Sequence, residues 1–523
     1  HQSASAAEPR VAEFLLARLA DGYAGEVLPL LIHGRWGDSM PPTPEVCEVV
    51  ADWNRRWVFP RLRLATVSVW HRALEKGRHP TPAVEVRGAW CDWWADGNGS
   101  APAEVALVRE AQATLADHAA LASLAAGIGA DDAAAARRQA LLFCEHTWGS
   151  YASAIDPWSA DARGQWLAKA GLAYSAQARA EAAVQAQVIA IASHGRIDAV
   201  RDGWMNSTAN DAEWRRLLAQ GGRPAVVVVN TLPWSRSAQV RVRIPQALLP
   251  PTGIHLHRED TDAPVPLIVR PPSPLDVVAA GARDLVFIAT DLPARGLAVY
   301  GIGGGPATPL VVSAQVGMEL QGRHLRLRLD PVTGAVASLT DADGGGERVR
   351  PGDLHLNQWI AEGIDHPDGR LALAGWGGKH RDTPWTRESP RLTGFRHVPE
   401  PGGVALVAEA DLPGRGRLTM RYALPDHGAW LDITNDIDVP VDDRARAWYA
   451  AFPLGTGRGH AWIAGVGGAF RPGDQVRGSA TDWYGVQDWF AIDDGDRYHV
   501  VATPDVPLVQ IGGITTGRWQ EEA

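Results

Sequence analysis

The sequence predicts a multidomain chain of three successive classes, α/β, then all-α, then all-β. Three observations carry that reading. Helix-like and strand-like runs alternate over the first 75 residues, and apolar residues then recur at the helical period of about 3.6 from Val105 to Ile191. After Gly195 the period falls to 2 and no long helix recurs. At 523 residues the chain can bury several cores.

The first helix is read from Val11, Phe14, Leu15 and Leu19, which share one face. Gly22 and Gly25 then admit a buried strand at 27–32, followed by a loop, 33–42, that carries Asp38. Thr43 and Pro44 open a second helix with Val46, Val49, Val50 and Trp53 on its apolar face. A strand at 62–66 and a short helix to Glu75 complete a βαβα pattern, which implies a parallel sheet with functional groups on loops at the strands' C-terminal ends. Three helices follow. One carries Val105, Val108, Leu115, Ala119 and Ala122 on a face, one spans 131–143, and one carries Trp166, Ala170, Ala173, Val184, Val188 and Ile191. Beyond them, strands are expected at 225–230, 239–244, 284–290, 324–329, 417–422 and 430–437, between Pro/Gly turns, as antiparallel sandwiches. The glycine-rich run from Gly301 to Pro306 lacks the helix that would present its N-terminus to a pyrophosphate, and is read as a linker.

Composition narrows the function. With 46% hydrophobic and 21% charged residues the chain is globular, and a net charge of −10 excludes a general phosphate-backbone binder, so nucleic acid is not an expected partner. No apolar run reaches the roughly 18 residues a membrane helix needs, and the opening residues have no signal-peptide pattern, so no membrane partner is expected. The first residue is His rather than Met, so the chain reads as cut from a longer one and a soluble, cytoplasmic location is only an expectation. The three cysteines, Cys47, Cys91 and Cys144, lack C-x-x-C spacing and are expected to remain thiols.

Two stretches carry chemistry. Phe143-Cys144-Glu145-His146-Thr147-Trp148 places an imidazole and a carboxylate where a helix meets Gly149 and Ser150, which end helices. His146 there is either a ligand or a helix-capping or core histidine. The second stretch, 88–100, gathers Trp90, Trp93 and Trp94 with Asp92 and Asp96. Tryptophan faces stack on the C–H surfaces of pyranoses while carboxylates hold hydroxyls, though grouped tryptophans also fill cores. His366 and Asp368 form a lone H-x-D in a turn.

With these segments placed, the chain resembles the glycoside hydrolase family 38 α-mannosidases, specifically bacterial relatives with tryptophan-rich loops. Asn230-Thr231-Leu232-Pro233-Trp234 is similar to the family's passage into its first β domain, residues 284–300 to its following β pair, and Asp330-Pro331-Val332-Thr333-Gly334 to the turn opening its large sandwich. Ala451-Phe452-Pro453-Leu454 also fits. The resemblance makes the α/β segment the end of a parallel α/β barrel. It implies domains at 1–80 (barrel end), 81–200 (active-site loop and three-helix bundle), 201–305 (small β domain) and 306–523 (large sandwich).

The resemblance further implies a retaining glycosidase acting on a carbohydrate substrate, α-mannosides, with one zinc ion. His146 falls where the family's Gln-x-His-Asp or Gln-His-His-Asp motif places a zinc ligand, and Asp38 where a loop carries the proposed acid/base carboxylate. Asp92, Trp94 and Asp96 are the expected sugar contacts. The side chains of Asp38 and His146 should then converge on one concavity with the 92–100 loop as its rim. Thr147 stands where the family usually has an Asp. The family's nucleophilic Asp and its H-x-D ligands have no counterpart here, so this chain alone is expected to be inactive and the remaining zinc ligands to lie outside it. The alternative is a non-catalytic carbohydrate-binding or scaffolding relic of the same fold.

Overall fold

The computed structural model describes residues 4–30, 44–77, 88–91, 95–146, 149–150, 152–153, 156–194, 215–271, 281–310, 314–364, 385–412, 414–440, 446–455, 459–481, 483–495 and 497–514. The chain divides into two compact units, His1–Arg87 and Gly88–Ala523.

The first unit holds α1 (Ala4–Ala20), α2 (Glu45–Arg56) and α3 (Val67–Lys76). Trp53 is buried on the expected face of α2, and Thr66 caps α3 through its hydroxyl, which accepts from the Val69 N–H at 3.4 Å. The expected parallel sheet is absent among the described residues. Residues 62–66 form no strand, because Asn54 of α2 takes both backbone groups of Leu62. Its Nδ2 donates to the Leu62 carbonyl at 2.8 Å and its Oδ1 accepts from the Leu62 N–H at 3.0 Å. Of the other expected strand, residues 27–30 are described and carry none, and Asp38 lies outside the described residues.

The second unit opens with α4 (Pro102–Leu121), α5 (Ala130–Phe143) and α6 (Ala160–His194), which pack on one another. Their shared core is largely alanine: Ala111, Ala133, Ala136, Ala173, Ala176, Ala180 and Ala183 are all fully buried. Small side chains let the helix axes approach, and Gly129 shows how closely. A Cβ there would stand 2.6 Å from the Ala183 carbonyl oxygen, and its φ of +73° suits glycine alone. Trp166, expected on the buried face of α6, is 40% exposed and lies instead beside Gly149, where a Cβ would stand 3.2 Å from its ring. On α4 the face ends through His118 and Leu121 rather than Ala119 and Ala122, and His118 is satisfied by the Ile128 carbonyl at 3.1 Å.

The strands follow in order: β1 (Ala225–Val229), β2 (Arg236–Ile244), β3 (His255–Arg258), β4 (Ala263–Pro264), β5 (Leu267–Arg270), β6 (Arg283–Leu292) and β7 (Leu297–Gly303). Sheets β1-β7-β3-β4 and β2-β6-β5 enclose a core that includes Leu256, Leu285, Phe287 and Tyr300. Gly301 to Gly303 end strand β7 rather than forming a linker. A Cβ at Gly301 would stand within 2.6 Å of the Glu259 and His257 side chains, which cross over this glycine. Asn230 ties this domain together. Its Nδ2 donates to the Trp234 and Pro293 carbonyls at 2.8 and 3.0 Å, and its Oδ1 accepts from the Leu232 N–H and Arg236 Nε, both at 3.2 Å.

The large β region continues with β8 (Glu319–Gln321), β9 (Leu325–Leu329), β10 (Val336–Asp341), β11 (Gln358–Ile364), β12 (Trp385–Glu388), β13 (Arg391–Glu400), β14 (Gly403–Leu412), β15 (Gly416–Ala423) and β16 (Asp432–Asp438). It ends with β17 (Arg446–Ala451), β18 (His460–Gly465), β19 (Gly468–Phe470), β20 (Tyr484–Gly485), β21 (Trp489–Asp493), β22 (Tyr498–Ala502) and β23 (Leu508–Val509). Sheets β10-β9-β8 and β13-β14-β15-β16 share a core of Leu327, Leu329, Leu406, Leu418, Met420 and Tyr422. The alternation is strict in β9, where Leu325, Leu327 and Leu329 are buried and Arg326 and Arg328 exposed. Asp330 closes the β9–β10 turn by accepting from the Thr333 N–H and hydroxyl, both at 2.7 Å.

Arg109 of α4 joins the helices to the loops after β20 and β22. Its guanidinium donates to the carbonyls of Pro504 (2.7 Å), Val486 (3.0 Å), Thr503 (2.8 Å) and Gln487. Thr231 adds a bond to Asp117 of α4 at 2.7 Å. No described helix is long and apolar enough to cross a membrane.

Candidate active-site segment at the end of α5

Helix α5 ends at Phe143, where Cys144 turns out of the helix with its N–H on the Ala140 carbonyl. The last carbonyls of a helix need donors, and Lys169 of α6 supplies one, its Nζ 3.0 Å from the Leu142 oxygen. The same ammonium lies 2.6 Å from Glu145 Oε1 and 5.5 Å from the centre of the Phe143 ring, a cation–π contact. Glu145 Oε2 is 3.0 Å from His146 Nδ1. Lys169, Glu145 and His146 thus form a chain from the buried helix interface to the surface, where His146 is 65% exposed.

One role open to a histidine placed beside a carboxylate is that of a ligand or proton acceptor. A neutral imidazole that donates its Nδ1 proton to a carboxylate carries its lone pair on Nε2, the arrangement of a metal-ligating or proton-accepting histidine. The exposure of His146 sets it apart from a core histidine; His118 plays that part.

The loop beyond it is pinned. The Gly149 N–H donates to Ser100 Oγ at 3.3 Å, and the buried Ser150 hydroxyl donates to Gln165 Oε1 at 3.2 Å. Ser100 ends the 3-10 turn Ala95–Ser100, so the structure brings the turn that carries Asp96 against the loop three residues past His146. The other end of the tryptophan-rich stretch is bonded to the loop between β19 and β20: the Val476 N–H meets the Ala89 carbonyl and the Ala480 N–H the Cys91 carbonyl. Between these anchors Trp90 is 77% exposed. Asp92 and Trp94 lie outside the described residues, as do Thr147, His366, Asp368 and, in the first unit, Asp38. For Asp96 the backbone alone is described.

Among the described residues no three His, Cys, Asp or Glu side chains gather as a metal site. A catalytic zinc uses three protein ligands, and here His146 offers one. Burial pushes the Cys91 thiol up, whereas Cys144 is exposed at the end of α5. Sequence reasoning missed Lys169. Its signal was present as a lysine beside Ala170 on the apolar face of α6.

No family model and no curated protein matches the sequence. Solved structures do match. An alpha-mannosidase from Enterococcus faecalis V583 superposes with a TM-score of 0.57 at 10% identity, covering 89% of this chain and 56% of that one. A protein in the Glycosyl Hydrolase Family 38 from Enterococcus faecalis superposes with a TM-score of 0.64 at 11% identity, covering 98% of this chain and 61% of that one. The chain has their fold. The resemblance read from the sequence thus holds at the level of fold, and the chain spans 56 to 61% of the length of these two structures.

Proposed function

We propose that the chain is part of a retaining α-glycosidase of the family 38 type, acting on α-mannosides. The observation that carries this reading is a glycosidase fold shared over 98% of the chain, with His146 oriented by Glu145 at the end of α5. The first unit belongs, on this reading, to the end of the catalytic barrel, and α4 to α6 form the family's helical bundle. A retaining glycosidase needs two carboxyl groups about 5–5.5 Å apart. Asp38 is the proposed acid/base group, and the nucleophile belongs to sequence outside this chain. Asp92, Trp94 and Asp96 are the proposed sugar contacts, on a loop held at both ends. His146 would be one ligand of a zinc ion that binds sugar hydroxyls, the described residues supplying no second one.

The test is aryl α-mannoside hydrolysis by this chain and by one extended to the length of the structures it matches. The longer chain should turn over substrate and lose activity and zinc together on His146→Ala; this chain should do neither. An inactive longer chain would overturn the reading. Turnover by this chain alone that disappears in Asp38→Asn would overturn the assignment of the nucleophile.

A further inference from the structure

A concavity of about 450 Å³ lies between the small β domain and the large sandwich and uses none of the residues around His146. One wall is Trp234 with the first residues of β2. The other is the β13–β14 hairpin tip, Arg421 of β15, and the loop through His427 and Trp430 to Asp432. The volume falls among small-ligand sites, roughly 300–1,000 Å³.

One wall of the cleft is set by a tight turn. Pro401 and Gly402 close the hairpin, with φ +78° at Gly402 as the third residue of a type II turn requires. That glycine is also a close approach, since a Cβ on it would stand 3.1 Å from Ile288 of β6. The hairpin tip is thereby seated on the small domain.

Its lining combines two kinds of group. Trp234 and Trp430 are 58% and 44% exposed, and both face this one concavity. Trp430 is held in place: its Nε1 donates to Asp432 Oδ1 at 3.0 Å, and the His427 ring meets it edge-on at 5.2 Å. Beside them Arg421 and Glu400 form a two-pronged pair, Nε to Oε1 at 2.9 Å and Nη2 to Oε2. His427 Nδ1 is buried and has no hydrogen-bond partner among the described residues. Desolvation pulls the His427 pKa down against the pull of Asp432 and Asp426, which favours the neutral ring.

These groups select by exclusion. An anion would face Glu400 and Asp432, a cation would face Arg236 and Arg421, and an apolar ligand would strand the charged groups. A neutral molecule with an apolar face and a hydroxyl edge suits both the indoles and the polar pairs. We propose that this cleft binds a pyranose unit of a neutral carbohydrate. The use of a mannose probe rests on the function proposed above; the chemistry of the cleft does not.

The experiment titrates the full chain with mannobiose, maltose and cellobiose, followed by tryptophan fluorescence and saturation-transfer NMR. At least one disaccharide should bind saturably. Trp234→Ala and Trp430→Ala should each weaken it about tenfold, the loss of one stacked ring. Trp57→Ala, an exposed indole of the first unit, should change nothing. Trp430→Phe keeps a ring and should lose less; with a melting curve for each variant, it decides the matter if an alanine variant fails to fold. No saturable binding by any of the three sugars, or binding undiminished in folded cleft variants, overturns the proposal. Saturable cleft binding with an inactive longer chain supports it while overturning the catalytic reading. Hydrolysis by the longer chain without cleft binding does the reverse.

Discussion

Helices α4 to α6 meet through alanines, Ala111, Ala133, Ala136, Ala173, Ala176, Ala180 and Ala183, whereas the large sandwich meets through Leu327, Leu329, Leu406, Leu418, Met420 and Tyr422. Each alanine buries little surface but has no rotamers to fix, so the helical region is held by close backbone approach. Each sandwich leucine buries far more, and its neighbours depend on its volume. The difference bears on function. His146 hangs from the end of helices whose spacing is set by backbone contact, while the tryptophan cleft is assembled from a hairpin and loops at a domain junction.

The two regions should therefore fail in opposite ways. Leu327→Ala leaves a void under β9 and should cost about 2–5 kcal/mol, whereas Ala176→Leu pushes α6 away from its neighbours and should cost about 1–3 kcal/mol. Denaturant midpoints of the two variants, with slopes unchanged, measure this. If Ala176→Leu is tolerated without loss, the helices are not in backbone contact and the comparison breaks.

Buried polar groups should separate the regions again, by a smaller amount. In the sandwich, Asn357 Nδ2 donates to the Tyr422 hydroxyl at 3.1 Å and to Asn435 at 2.8 Å, and Tyr422 donates on to the Gly334 carbonyl at 3.1 Å. Burial pushes the Tyr422 hydroxyl's pKa far up, so it stays a donor at any ordinary pH. Tyr422→Phe strands two buried partners and should cost about 1–3 kcal/mol. In α6, Gln187 is fully buried with neither amide atom partnered among the described residues. Gln187→Leu removes that desolvated amide at similar volume and should raise stability by about 1–2 kcal/mol. Thermal melts of both variants sharpen the comparison; two shifts of the same sign would erase it.

The same contrast decides what could be read from sequence. The β strands were legible because alternation in runs such as 325–329 reports one buried face directly. The end of α5 was legible because Gly149 and Ser150 break the helix just past His146. The face of α6 was only half legible: large apolar residues such as Trp166 drew the eye, while alanines hold the interface. Residues 62–66 were misread because a strand needs a partner, and here the Asn54 side chain takes that place. Glu145 and His146 could be named, but Lys169, 24 residues away, could not be paired with Glu145 before α5 and α6 were packed together. Trp234 and Trp430 meet at one cleft through a domain junction that no local pattern encodes.

The smallest effect belongs to the Lys169–Glu145–His146 chain, and it tests whether alanine packing positions the histidine. Glu145 is more than a third exposed, so solvent screens its pair with Lys169 and the coupling should be only about 0.2–1 kcal/mol. A double-mutant cycle with Lys169→Met and Glu145→Gln measures it. Lys169→Met alone should cost more than that coupling, because the Leu142 carbonyl also loses its donor. Positioning has a separate signature. In the neutral ring of His146 the proton should sit on Nδ1, held by Glu145, and ring ¹⁵N shifts report it directly. Glu145→Ala should abolish that preference at a stability cost no larger than the coupling with Lys169, since Glu145 is the half-exposed middle link of the chain. An unchanged tautomer in Glu145→Ala would mean that the carboxylate does not set the ring, and that Nε2 is not prepared as a ligand by the end of α5.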